Sequence, residues 1–555
     1  MTNYQFTGGT ICAPATIPGT GAISIIRVSG KEALAIADKV IDTKGAPIAE
    51  TEGYRLRYGT VFEADGSVLD NVIVSVFRAP HSYTGENSVE ISCHASRFIV
   101  NKILELLVNA GARIAAPGEF TRRAFVNGKM DLAQAEAVAD VIASQSAASH
   151  RVAMNQLKGG FSSELKTLRE KLLTMTSLLE LELDFSEEDV EFASRKELGQ
   201  LVDDSLTHIG RLTASFSRGN AIKNGVPVAI VGATNTGKST LLNALLGEER
   251  AIVSDIAGTT RDTIEETLNI DGILFRFIDT AGIRETDETI EKIGIDRTFK
   301  KLGEAAVVLG MTDLSRGEAA VLEDADFILS KVNEMGDVKN VAAVNDGAET
   351  GGAPPAETGG NSLVETGGPA LTETDETTLA ERGGAALRGG AGQERKVVIL
   401  VNKCDIAGDF YMDDNGSGND LGDEVANNTD NKNVNLDNNI VSLIENKYDN
   451  CKVIPISAKT GKGLSTLTKT LGEIGSEITG STDETLVTNA RHYEALVRAA
   501  SALERVRSGL HIATLPPDLI AQDLREALYH LGEIVGEITT DETLGNIFRN
   551  FCIGK

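Results

Sequence analysis

The sequence predicts a multidomain fold in which an α+β N-terminal domain precedes a discontinuous α-helical domain, with an α/β module inserted into the latter. Short β-like runs alternate with helical spacing over residues 1–128. Residues 129–220 and 481–555 share a Leu-, Ala- and Glu-rich composition with apolar residues three and four apart. Between them, residues 221–480 alternate apolar strand-like runs with helical segments. Two independent helical bundles are the alternative to one discontinuous helical domain.

Length and composition favour a soluble chain with several domains. A domain holds roughly 100–200 residues, so 555 residues favour three or more domains. No apolar stretch approaches the roughly 18–20 residues of a membrane span, and residues 1–10 lack the parts of a signal peptide. The five cysteines are scattered without a CxxC pair, which argues against a disulfide scaffold and a zinc site. We therefore expect a cytoplasmic protein with no membrane partner.

The formal net charge of −28 excludes a general nucleic-acid coat, because neutralising phosphates requires a surplus of Lys and Arg. An uneven distribution of charge would still allow a local RNA site. Net charge therefore limits how the chain binds RNA without deciding whether it does.

The first 128 residues are typical of a compact α+β domain. Apolar runs at 22–28, 72–77 and 89–92 predict strands, and residues 98–109 carry the spacing of a helix. Turn-forming clusters at 18–21 and 117–118 separate these runs.

The two helical segments predict long amphipathic helices, and the first contains no proline from 130 to 217. Its apolar stripe comprises Leu165, Leu168, Leu172, Leu173, Leu178 and Leu179. The stripe of the second segment comprises Leu496, Ala499, Ala500, Leu503 and Val506.

Two stretches inside the α/β module predict flexible surface insertions. Residues 336–394 repeat Glu-Thr-Gly-Gly amid Ala, Pro and Thr, and residues 409–450 are rich in Asn and Asp. Both lack the apolar content that offsets the entropy of an ordered chain. Such insertions are tolerated because the entropy of closing a loop grows slowly with its length.

A strand, a glycine-rich loop and a helix follow one another at the start of the module. The run 226–231 reads as a buried strand, GATNTGKS occupies 232–239, and 241–246 continues as a helix. This GxxxxGK[ST] pattern in this context predicts a phosphate-binding loop. Backbone N–H groups would face the phosphates, Lys238 would reach the β and γ oxygens, and the Ser239 hydroxyl would bind Mg²⁺.

Four further motifs, in chain order, indicate that the base is guanine. They are GTTRD at 258–262, DTAG at 279–282, NKCD at 402–405 and SAK at 457–459. Asp405 can accept hydrogen bonds from N1–H and the 2-amino group of guanine, and adenine offers neither donor there. Each motif alone could be an ordinary turn, but five in order predict a Ras-like α/β P-loop domain that hydrolyses GTP.

The residue after the DTAG glycine is Ile283, which cannot orient a water molecule as the glutamine of Ras-like GTPases does. The polar residue for this role must come from elsewhere. Candidates in the acidic segment that follows are Glu285, Asp287, Glu288 and Glu291. A solvated switch surface is the equally weighted alternative for this segment.

Several specific runs occur together in this chain. They include Asn235 in the P-loop, GTTRD at 258–262, DTAGIRE at 279–285 with Glu291 beyond it, and FCIGK at 551–555. The N-terminal part adds IIRVSG at 25–30, SYTGE at 82–86, PGEFT at 117–121 and DLAQAEA at 131–137. With these runs the chain resembles the MnmE (TrmE) family of tRNA-modification GTPases, over nearly its whole length except the two insertions.

The resemblance implies a folate-binding N-terminal domain that also forms a homodimer, a helical domain, and a G domain inserted into it. It further implies an FAD-dependent partner protein, with which the homodimer forms a heterotetramer, and tRNA as substrate. Together they install an aminomethyl or carboxymethylaminomethyl group at C5 of the wobble uridine, with 5-formyl- or 5,10-methylene-tetrahydrofolate as one-carbon donor. GTP hydrolysis in this family requires Mg²⁺ and K⁺, and K⁺ brings the two G domains of the dimer together.

The resemblance also implies roles for individual residues. Glu291 would orient the attacking water, and Ser239 and Thr260 would bind Mg²⁺. The K⁺ ligands carried over are Asn235, Ser254, Ile256 and Thr259. The folate contacts carried over are Arg27, Glu90, Lys129 and Lys555. Cys552 lies near the folate site by resemblance, where it is either catalytic or only a small apolar residue in the tail.

Motifs and resemblance together predict a set of GTP-binding residues. The set comprises Asn235, Thr236, Gly237, Lys238, Ser239, Thr240, Ser254, Asp255, Ile256, Ala257, Gly258, Thr259, Thr260, Asp279, Thr280, Ala281, Gly282, Asn402, Lys403, Asp405, Ser457, Ala458 and Lys459. Two departures from the family pattern stand out. Thr234 replaces the usual proline before Asn235, and Gly310 and Thr312 weaken the strand expected at 307–313.

Two other functions remain open from the sequence. A GTP-switched ribosome-assembly factor would add a basic RNA-binding module or a second G domain, and this chain has one P-loop and an acidic C-terminal segment. A GTPase that keeps its switch without the modification chemistry is not separable from the first hypothesis by sequence.

Overall fold

The computed structural model describes residues 8–184, 194–249, 266–278, 305–341, 395–405, 440–447, 451–480, 484–510, 517–549, 551 and 554. The chain divides into two compact units. Unit 1 comprises Met1–Ser144, His150–Thr213 and Arg491–Lys555, and unit 2 comprises Gln145–Ser149 and Ala214–Ala490. The predicted multidomain fold class, with α+β, helical and α/β parts, is confirmed.

Unit 1 contains a seven-stranded sheet with the order β3-β4-β5-β6-β2-β1-β7. Its strands are β1 Ile11–Pro14, β2 Ile23–Ser29, β3 Ile41–Asp42, β4 Arg55–Phe62, β5 Val68–Phe77, β6 Ser88–His94 and β7 Arg113–Ile114. Neighbouring strands are antiparallel except for β1 and β7. The predicted strands near 22–28, 72–77 and 89–92 are therefore present.

Two helices, α1 Ala33–Val40 and α2 Arg97–Asn109, pack with this sheet in one hydrophobic core. Side chains alternate between the two faces of a strand, and along β5 Val72, Val74 and Val76 are buried while Ile73 is exposed. One face of the sheet therefore belongs to the core, and the other is open over β4 and β5.

The helices of the flanking segments are α3 Glu119–Val126, α4 Leu132–Ala143, α5 Ala147–Leu157, α6 Gly160–Asp184, α7 Arg195–Ala214, α8 Phe216–Asn224, α12 Ala490–Leu510, α13 Pro517–Val535 and α14 Asp541–Arg549. In the predicted stripe of α6, Leu165, Leu168, Leu172 and Leu179 are buried, whereas Leu173 is exposed. The predicted stripe therefore wrongly includes Leu173, because it follows Leu172 directly and adjacent residues point in directions about 100° apart on a helix. None of the described helices combines the length and apolar character that a membrane crossing requires.

Unit 2 contains a six-stranded sheet with the order β13-β12-β11-β8-β10-β9. Its strands are β8 Val226–Gly232, β9 Glu266–Ile270, β10 Ile273–Ile278, β11 Val307–Asp313, β12 Lys396–Asn402 and β13 Cys451–Pro455. All neighbouring pairs are parallel except β9 with β10. The helices α9 Lys238–Glu249, α10 Glu318–Val341 and α11 Leu464–Thr479 contribute to apolar clusters on both faces, so the sheet is covered on both sides.

The strand that the sequence left in doubt is a fully buried central strand. β11 lies between β8 and β12, and all seven of its residues are buried. A Cβ at Gly310 would lie 2.7 Å from Cδ1 of Ile399 and 3.1 Å from Cγ2 of Ile328. The glycine therefore fits where neighbouring side chains approach the strand closely.

The insertions begin and end inside the limits drawn from composition. Helix α10 continues to Val341, and residues 440–447 are helical with Ile440 and Ile444 buried. The margins at 336–341 and 440–447 are therefore helical, and Ile440 and Ile444 pack in an apolar cluster on one face of the sheet. The remaining residues of the two predicted insertions, 342–394, 409–439 and 448–450, lie outside the described residues.

Candidate nucleotide-binding site

The P-loop joins the end of β8 to the start of α9, beside the ends of β11 and β12. Gly237 has a φ of 97°, and a Cβ there would overlap Nδ2 of Asn402. A Cβ at Gly232 would overlap the carbonyl oxygen of Met311. Glycine is needed at both positions, because the loop backbone touches neighbouring strands. Asn235 is exposed and has a φ of 62°, a conformation that Asn tolerates better than most residues.

Lys238 occupies the first position of α9, and its ammonium group points back at the loop. Nζ donates hydrogen bonds to the carbonyl oxygens of Gly232 at 2.9 Å and Ala233 at 2.8 Å. Burial lowers the pKa of Lys238 below its ordinary value. A half-buried cation at a helix N-terminus, next to a loop of backbone N–H groups, fits a polyphosphate. Ser239 is half-buried and Thr240 exposed in the same turn of the helix.

Asn402 ties the P-loop to the loop that follows β13. Its Nδ2 donates to the Thr236 carbonyl oxygen at 2.7 Å, and its Oδ1 accepts from the Ala458 backbone N–H at 3.0 Å. The residue is buried, so these bonds satisfy polar atoms that would otherwise be costly to bury. Asn402 therefore acts as a scaffold for the two loops that the sequence assigned to phosphate and base.

The predicted base-reading residues lie together on the far side of Asn402. The buried Ser457 hydroxyl donates to Oδ1 of Asp405 at 2.8 Å, and the Thr460 N–H donates to the Ser457 hydroxyl at 3.3 Å. Asp405 itself is exposed, as is Lys459. A carboxylate oriented by a buried hydroxyl at the edge of a loop is suited to accept two parallel N–H bonds from a planar base.

Lys403 makes an ion pair that the motif analysis did not predict. Its Nζ lies 2.6 Å from Oδ2 of Asp313, the last residue of β11. The sequence feature that could have predicted this pair is Asp313 itself, a carboxylate at the end of β11, next to the strand β12 that precedes NKCD. Neighbouring parallel strands bring their carboxyl ends to the same edge of the sheet, so the pair could have been anticipated.

Many residues of the predicted site lie outside the described residues. They are Ser254, Asp255, Ile256, Ala257, Gly258, Thr259, Thr260, Asp279, Thr280, Ala281, Gly282, Ile283, Glu285, Asp287, Glu288, Glu291, Cys552 and Lys555. Asn235 and Ser239 are the described members of the predicted metal-binding sets.

The folate contacts carried over by resemblance lie around the β2–β6 strand pair of unit 1. Arg27 and Glu90 are directly opposite each other, and Nε and Nη2 of Arg27 each lie 2.9 Å from Oε1 of Glu90. Cζ of Arg27 lies 5.1 Å from the ring centre of Tyr83 and 5.6 Å from that of Phe120. Lys129 donates to the carbonyl oxygen of Pro80 at 3.1 Å, at the start of the segment that contains Tyr83.

Arg27 and Glu90 thus form one ion pair, so the two residues lie at the same place in the candidate site. Tyr83 and Phe120 belong to the SYTGE and PGEFT runs, but no role was predicted for either ring. Burial raises the pKa of Tyr83, and its hydroxyl lies 2.8 Å from that of Thr121. Phe120 is fully buried, so the site combines the ion pair with the half-buried ring of Tyr83, which suits a flat, polar heterocycle.

A buried charge network connects the SYTGE and PGEFT runs. The fully buried Arg123 donates to Glu86 at 2.9 and 3.1 Å and to Glu119 at 3.0 Å. Burial alone would raise the pKa of Glu119, but hydrogen bonds from Arg113, Ala116 and Arg123 hold it below its ordinary value. Glu119 therefore remains ionised and anchors the start of α3.

The C-terminal tail reaches the first strand of the same unit. Gly554 has a φ of 98°, and a Cβ there would overlap the carbonyl oxygen of Pro14 at the end of β1. The β1–β2 register places Ala13, the neighbour of Pro14, opposite Arg27. Gly554 of the FCIGK run therefore lies beside the strand that pairs with the Arg27 strand.

The P-loop, the Asn402 scaffold and the oriented Asp405 carboxylate define a guanine-nucleotide-binding protein of the P-loop class. Comparisons with known proteins specify it further. A family model described as the MnmE helical domain matches residues 132–552, and one described as GTP-binding protein TrmE N-terminus matches residues 10–129. The chain belongs to the MnmE family of tRNA modification GTPases.

Full-length relatives named tRNA modification GTPase MnmE support this assignment. The protein of Parabacteroides distasonis is 44% identical over 98% of this chain and 100% of its own length. That of Bacteroides thetaiotaomicron is 44% identical over 98% and 99%, and that of Porphyromonas gingivalis is 43% identical over 100% and 99%. The match to a solved GTP-binding protein of Sulfolobus solfataricus in complex with GDP is 16% identical, covers 57% of this chain and 67% of that chain, and has a TM-score of 0.25.

Proposed function

We propose that this chain is a GTP hydrolase that forms the 5-carboxymethylaminomethyl or aminomethyl group on the wobble uridine of certain tRNAs. It does so with an FAD-dependent partner protein and a folate one-carbon donor. The observation that carries the proposal is Asn402, whose hydrogen bonds join the P-loop and the base-reading loop into one site. The relatives named tRNA modification GTPase match this chain over nearly its whole length.

The hydrolytic site is proposed to hold Mg²⁺ and K⁺ beside GTP. Ser239 and Thr260 would bind Mg²⁺; Asn235, Ser254, Ile256 and Thr259 would bind K⁺. The exposed Asn235 carboxamide on a left-handed backbone suits an oxygen ligand at the mouth of the P-loop. Lys238 would exchange its bonds to Gly232 and Ala233 for bonds to phosphate oxygens, and Glu291 would orient the attacking water.

The folate site is proposed around Arg27, Glu90 and Lys129. Glu90, oriented by Arg27, would accept hydrogen bonds from donors of the pterin ring, and the half-buried ring of Tyr83 would flank it, while the fully buried ring of Phe120 supports Arg27 from the core. Lys129 and Lys555 would meet the carboxylates of the folate. Cys552 would lie close to this site, since Gly554 packs against Pro14.

A homodimer is proposed through the open face of the N-terminal sheet. The register places Leu56, Ser75, Glu90 and Arg27 in one row across β4, β5, β6 and β2. Leu56, Tyr58 and Ile73 are 67%, 61% and 47% exposed, so an apolar surface continues from the Arg27–Glu90 pair. A second copy would cover this surface, and two dimeric proteins would then form a heterotetramer with the FAD-dependent partner.

The domain limits are part of the same proposal. We assign 1–128 to the folate-binding domain, 129–220 and 481–555 to the helical domain, and 221–480 to the G domain. The TrmE N-terminal model, which ends at residue 129, supports the first limit. Cys12, Cys93, Cys404 and Cys451 are not joined by disulfides, which suits a reducing compartment such as the cytoplasm.

Two experiments test the proposal. GTP hydrolysis should be much faster in K⁺ than in Na⁺, and Glu291→Ala should abolish the difference, while Glu323→Ala on the exposed side of α10 should not. Equal rates in both ions would overturn the K⁺ site. Transfer RNA from cells lacking this protein should lose the modified wobble uridine; unchanged tRNA would favour a GTPase without modification chemistry.

A further inference from the structure

We infer that Asp313 is a positioning residue for the guanine nucleotide, because it holds the ammonium of Lys403 so that the lysine stem forms a fixed wall of the base pocket. The inference rests on the proposed function, since it concerns the same nucleotide site. It adds a residue outside the five motifs.

The position of Asp313 follows from the sheet. β11 and β12 are parallel and paired along their length, and Asp313 lies in register with Asn402. The residue after Asn402 is therefore within reach of the Asp313 side chain, and Nζ of Lys403 lies 2.6 Å from Oδ2. Asp405 follows two residues later, so the ion pair lies between the scaffold Asn402 and the base reader Asp405.

The Asp313 carboxylate is held from its other side. Its Oδ1 accepts from the backbone N–H of Ser315 at 3.0 Å and from the Ser315 hydroxyl at 2.6 Å. The side chain is 7% exposed. Burial alone would raise the pKa of Asp313, but Lys403 and Ser315 hold it below its ordinary value. A buried, ionised and hydrogen-bonded carboxylate is a rigid anchor for a flexible lysine.

The Lys403 side chain is fixed at its backbone end and at its ammonium end. Its backbone has a φ of 68°, a left-handed conformation that is strained for a lysine and needs support from its surroundings. Its side chain is 33% exposed, and the ammonium is bound by Asp313. The methylene stem is therefore stretched between two fixed points beside Asp405, and it presents an apolar surface to a planar base.

Fixing Lys403 in the folded protein lowers the entropy that is lost when the nucleotide binds. Immobilising a side chain with many rotamers opposes association, and here the folded protein has already immobilised it. Removing the Asp313 charge would return that cost to the binding step. We expect Asp313→Asn to weaken GDP binding about three- to tenfold.

Displacement of a fluorescent nucleotide by GDP and by inosine diphosphate tests this inference. The affinities are measured for the wild type, Asp313→Asn, Lys403→Met and the double variant. The full-length protein is used throughout. Asp313→Asn should weaken both nucleotides by the same factor, because the 2-amino group that distinguishes them is read by Asp405. In the Lys403→Met background, Asp313→Asn should have no further effect. At saturating GTP, kcat should be unchanged while KM rises.

Asp324→Asn is the matched control. It removes an ion pair of the same unit, in which Nη1 of Arg316, just before α10, lies 2.8 Å from Oδ2 of Asp324 on that helix. It should leave both affinities unchanged. Additive effects of Asp313→Asn and Lys403→Met would overturn the inference, as would a lower kcat with unchanged KM or a silent Asp313→Asn in a protein that binds GDP. A wild-type protein without GDP binding would instead overturn the proposed function.

Discussion

The carboxamide of Asn402 joins two loops that are distant along the chain. Thr236 of the P-loop lies 166 positions before Asn402, and Ala458 of the base-reading loop lies 56 positions after it. Both of its polar atoms are used, and a buried amide with both ends bound has one stable orientation. Gly237 faces this amide without a side chain, so the P-loop can approach it closely. At the scale of the residue, the nucleotide site therefore depends on one glycine and one amide that fit against each other.

Replacing Gly237 by alanine should reduce GDP affinity at least about tenfold, because a left-handed alanine costs on the order of 1–3 kcal/mol and its Cβ would overlap Asn402. Titration with a fluorescent GDP analogue measures the loss. Gly247→Ala, on an exposed position of α9 where a Cβ meets nothing within 4 Å, is the control and should bind normally. Equal affinities for both variants would contradict the role of Gly237.

At the scale of elements, a buried ion cluster fastens α4 to α12. Glu136 of α4 accepts hydrogen bonds from Nε and Nη2 of Arg491 at 3.0 Å, and its Oε2 lies 2.6 Å from Nε2 of His492. Arg491 also donates to the carbonyl oxygens of Glu533 and Ile534 at the end of α13. Burial alone would raise the pKa of Glu136, but His492 and Arg491 lower it to about 2.

This lowered pKa makes a prediction about acid stability. A carboxylate with a depressed pKa in the folded state contributes stability above its unfolded pKa and loses it as the pH falls toward the folded pKa. We expect Glu136→Gln to lower the free energy of unfolding by about 3 kcal/mol at pH 7, with the difference from wild type shrinking between pH 4.5 and about 2.

Denaturant unfolding followed by far-UV circular dichroism over this pH range checks the prediction. The control is Glu180→Gln on α6, which removes a surface pair with Arg525 of α13 and should cost less than about 1 kcal/mol at every pH. A pH-independent difference between wild type and Glu136→Gln would show that the cluster acts through packing and not through charge.

At the scale of the whole molecule, the N-terminal sheet has one face in the core and one face open to solvent. The open face carries the apolar residues Leu56, Tyr58 and Ile73. The row of Leu56 continues to Glu90 and Arg27, and the neighbouring row holds Tyr58 opposite Ile73. Neighbouring exposed apolar residues on one face are typical of a surface that another protein covers. If a second copy covers it, dimerisation and the folate site share one side of the sheet.

Charge on this face should therefore dissociate the dimer. Tyr58 and Ile73 are direct cross-strand partners, so Tyr58→Asp with Ile73→Asp places two like charges at the centre of the patch. We expect a dimer for the wild type and a monomer for the double variant in size-exclusion chromatography with light scattering. Phe98→Asp on α2, 57% exposed and outside the patch, should remain dimeric. A dimeric double variant would place the interface elsewhere.

The class of nucleotide and most elements of the α/β module could be predicted from the sequence alone. The P-loop and the NKCD run are contiguous, and each follows a strand whose apolar run is visible, so local rules suffice. Only the tertiary structure decided that Arg27 pairs with Glu90, that Asp313 holds Lys403, and that β11 tolerates Gly310 at its centre. These contacts join residues on separate strands, 63 and 90 positions apart for the two ion pairs. A single sequence shows the composition of each strand. Strand order and register, which bring distant side chains together, are determined only when the chain folds.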